Sequence, residues 1–272
     1  MGRVHLFELE DQSWFPNPIR DAGTDFMRFM ADATNPYRPI IPRLRQALAD
    51  TGSREILDLC SGAAGPIIGI REQLAAAGCP VSVTLTDKFP NETALGYAME
   101  RSGGEVRYIK EPVDAAAVPH HLSGFRTLFT GLHHFRPEAA RRILQNAVDQ
   151  GHPIGVFEMT QRSVLPILGT PFLPLALLMA TPFIRPFRWS RLFWTYAVPV
   201  VPLFVAWDAF VSCLRTYSLQ EMRMLVDGLR SDDYHWEIGL EPARPAPISY
   251  LIGRPRQARD DIPHSPSPAQ SG

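Results

Sequence analysis

The chain lacks the features that mark several large functional classes. Its 272 residues include only three cysteines, Cys60, Cys79 and Cys213, scattered and odd in number. That excludes a disulfide framework and fits a reducing compartment. No His/Cys spacing suited to a metal occurs, so no metal is expected. Basic and acidic residues balance at 27 and 28, a formal net charge of −1, with no dense Lys/Arg run. No field therefore favours nucleic acid. There is no internal repeat. The start, Met1-Gly2-Arg3-Val4-His5, has no apolar leader core and is followed by several acids up to Asp11. A cytoplasmic protein is expected.

Apolar patterning supplies the architecture. Short β-branched runs alternate with helical stretches: strands at 55–60, 81–86, 106–109, 126–130 and 154–158, and helices at 66–77, 91–102 and 137–150. Such alternation predicts βαβ units and a parallel sheet. Earlier helices are expected around Phe26–Met30 and over 39–50. Ser218 with Glu221 reads as a capping box opening a helix to about Leu229, before strands at 234–240 and 248–253. Three parts follow: an N-terminal cap over 1–36, a main domain over 37–253, and a polar, Pro/Ser-rich tail over 254–272 expected to be disordered.

The most informative stretch is Ile56-Leu57-Asp58-Leu59-Cys60-Ser61-Gly62-Ala63-Ala64-Gly65-Pro66. A strand meets an acid, then a small-residue turn, then a helix-opening proline. Gly62 and Gly65 allow positive φ and close ligand approach. Pro66 suits the first helical turn, whose free N–H groups make an electropositive cradle. Asp58 discriminates among nucleotide-type ligands. A carboxylate at the strand tip repels a pyrophosphate and attracts an ammonium, as in S-adenosylmethionine.

Together with Leu85-Thr86-Asp87, Val113-Asp114-Ala115 and Thr130-Gly131-Leu132-His133-His134-Phe135, this stretch resembles the class I S-adenosylmethionine-dependent methyltransferases. Ala63 and Ala64 depart from the family's glycine-rich pattern. The resemblance implies a doubly wound, seven-stranded, mostly parallel Rossmann-like sheet in order 3-2-1-4-5-7-6, strand seven antiparallel. It implies that Asp58 orients the methionine ammonium, Asp87 takes the ribose hydroxyls, and Asp114 with Ala115 meets the adenine. Cys60, Ser61, Gly62, Gly65, Pro66, Thr130, Gly131 and Leu132 would line the cofactor, with Lys88 and Phe89 flanking the adenine. Independently of the family, Asp87 follows Gly62 by one βαβ half-unit, where a carboxylate meets a ribose diol. Helix capping is its competing role.

Catalytic candidates are His133 and His134, one of them a base after strand four, and Glu158 at the end of strand five. Trp14, Arg20, Arg215 and Tyr217 are candidate acceptor contacts. Asp208 and Arg215 share a helical face and also read as a structural ion pair.

The remaining feature is an apolar insert within 163–217. No charge occurs from Val164 to Ile184 or from Leu192 to Trp207. Pro166, Pro171, Pro174, Pro182, Pro199 and Pro202 interrupt these runs and argue against a membrane-spanning hairpin. Broken helices forming a hydrophobic lid are expected, with a peripheral membrane patch and a homodimer interface as alternatives. Arg185, Arg188 and Arg191 would sit at its rim. The expected function is methyl transfer, preferably to oxygen, onto a small, largely hydrophobic acceptor: lipid-like, aromatic or a carboxylic acid. The rivals are a nicotinamide-dependent oxidoreductase and a membrane-associated binding protein on the same fold.

Overall fold

The central sheet has the order β3-β2-β1-β4-β5-β7-β6. Its strands are β1 (Glu55–Asp58), β2 (Ser82–Leu85), β3 (Val106–Tyr108), β4 (Phe125–Phe129), β5 (Ile154–Glu158), β6 (Tyr234–Glu241) and β7 (Ile248–Pro255). The first five are mutually parallel, and β7 runs antiparallel to both β5 and β6. The computed structural model describes residues 2–230, 233–244 and 246–256. The tail from 257 onward lies outside the described residues. Residues 254–255, expected in the tail, extend β7, where Pro255 pairs with Tyr234.

Alternation along each strand divides the core. Ile56, Val83, Phe125, Phe157 and Ile252 face one side, with α2 (Ile41–Thr51) and α3 (Ile67–Ala76). Leu57, Leu128, Val156 and Leu251 face the other, with α5 (Pro137–Asp149) and α10 (Leu219–Asp227). The two-residue period of a strand produces this division. The helix after β2 is α4 (Glu92–Arg101), and its cap is Asn91, whose side chain accepts from the Ala94 amide. Asp87 is thus not the helix cap. The Ser218–Glu221 capping box forms as read.

A third apolar cluster sits apart from the sheet. It joins α1 (Asn17–Thr34) to the insert, which comprises α6 (Val164–Gly169), α7 (Leu173–Ala180), α8 (Trp189–Leu192) and α9 (Val200–Arg215). Phe15, Ile19 and Phe26 pack on Leu177, Ile184, Val201 and Phe204. The insert therefore rests on α1, while α1 in turn lies against the small-residue turn through Thr24 and Gly62. The insert is not fully covered, because α1 lies on only one side of it. Leu168, Phe172, Leu175, Met179 and Phe183 on its other side are exposed.

Candidate active site

Parallel strands bring Asp58, Leu85 and Thr127 into one row at the carboxyl edge. The turn after β1 then bends through positive φ at Cys60, Gly62, Ala64 and Gly65. Ala64 holds φ 73° with no exposure, a left-handed geometry that strains an L-residue by roughly 1–2 kcal/mol. Gly131 lets the turn after β4 approach: a Cβ there would stand 3.6 Å from the Cys60 Cβ. The turns after β1, β2 and β4 thus converge.

Asp87 ties two of them together. It accepts the Gly62 amide at 2.7 Å and the Phe89 amide at 2.7 Å. Asp58 is buried beneath, accepting from the Thr127 hydroxyl at 2.6 Å and the Ser61 hydroxyl at 2.7 Å. Burial pushes its pKa up to about 7, against the lowering effect of those two bonds. Each carboxylate retains lone pairs for a ligand. Lys88 and Asp114 pair at 3.6 Å on the exposed rim, and Asp114 caps the turn Ala115–Ala117. Pro66 directly precedes α3. The Arg20 guanidinium lies 4.4 Å over the Phe89 ring.

Several expected contacts are otherwise engaged. Leu132 and Ala115 are core side chains, and the Leu132 amide donates to Glu158. The Thr130 hydroxyl bonds Tyr37 and accepts the Met159 amide. Trp14 is 68% exposed and packs edge to face on the Phe15 ring. Arg20 is buried, donating to the Glu10 and Gln12 carbonyls and to Asn17. The Tyr217 hydroxyl donates to the Phe135 carbonyl under the Arg3 guanidinium. Asp208 and Arg215 do not pair with each other. Asp208 accepts the Leu9 and Glu10 amides, while Arg215 binds Glu8 at 3.0 Å and Asp11 at 2.6 Å. Both anchor the N-terminal segment.

The histidines separate into two environments. His133 is 1% exposed, and its Nδ1–H donates to Glu158 Oε2 at 2.8 Å. Glu158 also accepts the Leu132 amide at 2.7 Å, and His133 holds its carboxyl below the usual range despite burial. With Nδ1 committed, Nε2 is the nitrogen left to accept a proton. His134 instead contacts Glu8 at 2.8 Å and Asp11 at 2.9 Å through Nδ1. Burial alone would lower its pKa, but those carboxylates raise it well above the ordinary value. An imidazolium at neutral pH is no base, which removes His134 from that role. Donor atoms of Glu8, His133 and His134 lie within 4.8 Å of one another. The Glu8 carboxylate already faces two cations, Arg215 and His134. The cage of Glu8, Asp11 and Arg215 closes over this edge and was not read from the sequence, nor was Thr127 beneath Asp58. Only the register of β1 against β4 finds Thr127.

No family model and no curated protein matches the chain. Solved structures do match. An O-methyltransferase family 2 protein from Planctomyces limnophilus, in complex with apigenin, is 15% identical, with 90% of this chain and 63% of that one covered and a TM-score of 0.52. A protein from Rhodobacter sphaeroides described as a Zn-dependent alcohol dehydrogenase is 14% identical, with 89% and 99% covered and a TM-score of 0.52. An O-methyltransferase family protein from Burkholderia thailandensis is 14% identical, with 88% and 60% covered and a TM-score of 0.49. The chain thus spans only about three fifths of the length of the O-methyltransferases it matches. At such identity the likeness is one of fold: the chain is a seven-stranded, Rossmann-like sheet of the class I methyltransferase type.

Proposed function

We propose that the protein transfers a methyl group from S-adenosylmethionine to an oxygen of a small, largely hydrophobic acceptor. The observation that carries this is the His133–Glu158 pair, buried beside the turns that hold Asp58 and Asp87. The chain's own groups fit the cofactor. Asp87 stands where ribose hydroxyls would donate, and Asp58 offers a buried carboxylate to an ammonium. The Gly62 amide N–H, by contrast, is already committed to Asp87. Bound S-adenosylmethionine supplies an activated methyl on a sulfonium.

The protein's part is orientation and proton removal. Glu158 fixes the orientation and tautomer of the His133 ring, the arrangement by which a carboxylate positions an imidazole base. His133 Nε2 would accept the acceptor hydroxyl's proton as the oxygen attacks. Alignment of the two reactants contributes several kcal/mol more. The segment over residues 2–16 must lift to admit an acceptor, since Glu8 and Arg3 cover the histidines. On this reading the N-terminal segment acts as a lid, the role expected for the cap over residues 1–36.

Calorimetric titration with S-adenosylhomocysteine and with NAD tests the cofactor, and a phenol and hydroxy-lipid screen tests the acceptor. His133→Ala and Glu158→Gln should each lower kcat with cofactor affinity retained. Binding of NAD instead of S-adenosylhomocysteine would overturn the reading.

A further inference from the structure

The insert carries two apolar stripes. Leu177, Ala180 and Ile184 recur at helical spacing and are buried against α1. Leu168, Phe172, Leu175, Met179 and Phe183 recur at the same spacing on the opposite side and are exposed, Phe172 to 71%. Exposed Trp189, at 78%, and Phe187 pack edge to face beyond the end of that stripe. An isolated exposed leucine needs no explanation, but a contiguous stripe of this size marks a contact surface.

Charge identifies the occupant. From Met159 to Trp207 the sequence has no Asp or Glu, and its only charges are Arg162, Arg185, Arg188 and Arg191. Arg162 is paired with Glu221, Arg188 with Asp21, and Arg191 with Asp25. Arg185 is exposed, next to Phe183 and Phe187. An apolar stripe with aromatic residues and an exposed cation at one end, and no acid, complements a leaflet with anionic headgroups. A second copy docking on this face would bring the same acid-free, arginine-bearing segment against itself.

The 20 residues of Val164–Phe183 have a mean hydropathy of 1.8, as a membrane span would. Spanning would strip Leu177, Ala180 and Ile184 from α1, a loss that lying along the leaflet surface avoids. We infer that this face is a monotopic docking surface for an anionic membrane, with the helical run lying in the leaflet plane. On the methyltransferase reading, an acceptor dissolved in that leaflet would reach the site beside α9, which carries exposed Leu203 and ends at Arg215 in the cage.

The full chain should co-sediment with vesicles of phosphatidylcholine plus phosphatidylglycerol, and more weakly with phosphatidylcholine alone. The double variant Phe172→Asp/Phe183→Asp, which touches no core contact, should abolish sedimentation. Arg185→Gln should lower partitioning about fivefold on anionic vesicles only. S-adenosylhomocysteine binding, measured on the same samples, reports folding and keeps failure of docking distinct from failure of the cofactor reading. Wild-type protein remaining in the supernatant with both vesicles would overturn the inference. So would a dimer in light scattering that the double variant dissociates while vesicles bind neither form.

Discussion

Replacing Asp87 by Ala separates two roles that converge on one carboxylate. In the structure Asp87 accepts the Gly62 and Phe89 amides, each at 2.7 Å. Hydrogen bonds to a charged group contribute about 1.5–3 kcal/mol each. Both residues are half-buried, so water recovers part of each bond, leaving roughly 2–3 kcal/mol for the pair. At about 2–4 °C per kcal/mol for a domain near this size, Tm should fall roughly 5–10 °C. If Asp87 also holds the ribose, S-adenosylhomocysteine affinity should drop roughly 10- to 150-fold. A loosened turn could weaken binding without any ribose contact, so the assay is a cycle with the 2′-deoxy analogue. The wild type should discriminate between the two ligands, and Asp87→Ala should not. Equal discrimination by both proteins would show that Asp87 only braces the turns.

Asp58 sets a pH dependence. Its folded pKa, near 7, lies above the unfolded value of 3.8, so its contribution to stability is present below 3.8 and lost as pH rises through 7. A ligand ammonium favours the carboxylate, so cofactor affinity should rise with pH up to about 8 and binding should release a proton; calorimetry in buffers of different ionisation heat reads it. His134→Ala should leave Glu8 with Arg215 and destabilise the fold by about 1–3 kcal/mol, seen in urea unfolding, whereas His133→Ala strips buried Glu158 of its imidazole partner and should cost stability as well as activity. Leu177→Asp and Phe204→Asp should unfold the α1–insert packing rather than tune acceptor choice, because both side chains are buried in it; circular dichroism and melting curves decide. Ala64→Gly relieves the positive-φ strain at the expense of a buried methyl and of unfolded-chain entropy, so Tm should change by no more than a few degrees.

Local rules determined much of this protein. Period-two and helical apolar spacing set the strands and helices within a few residues, Ser218 and Glu221 set a cap, and the small-residue turn after Asp58 marked the carboxyl edge where ligands bind in such sheets. Those features depend on neighbours in the chain, so they are readable there. Tertiary structure decided which partners each of two adjacent histidines meets. Glu158 reaches His133 from another strand, and Glu8 and Asp11 reach His134 across more than a hundred residues. The fate of Arg20, Arg188, Arg191 and Arg215 was decided in the same way, by carboxylates and carbonyls on α1, the N-terminal segment and the loops they meet. The insert's composition announced a large apolar surface, but only its packing on α1 showed which side is core and which faces outward. Charge pairing and burial are sums over spatial neighbours, and sequence order does not encode that sum locally.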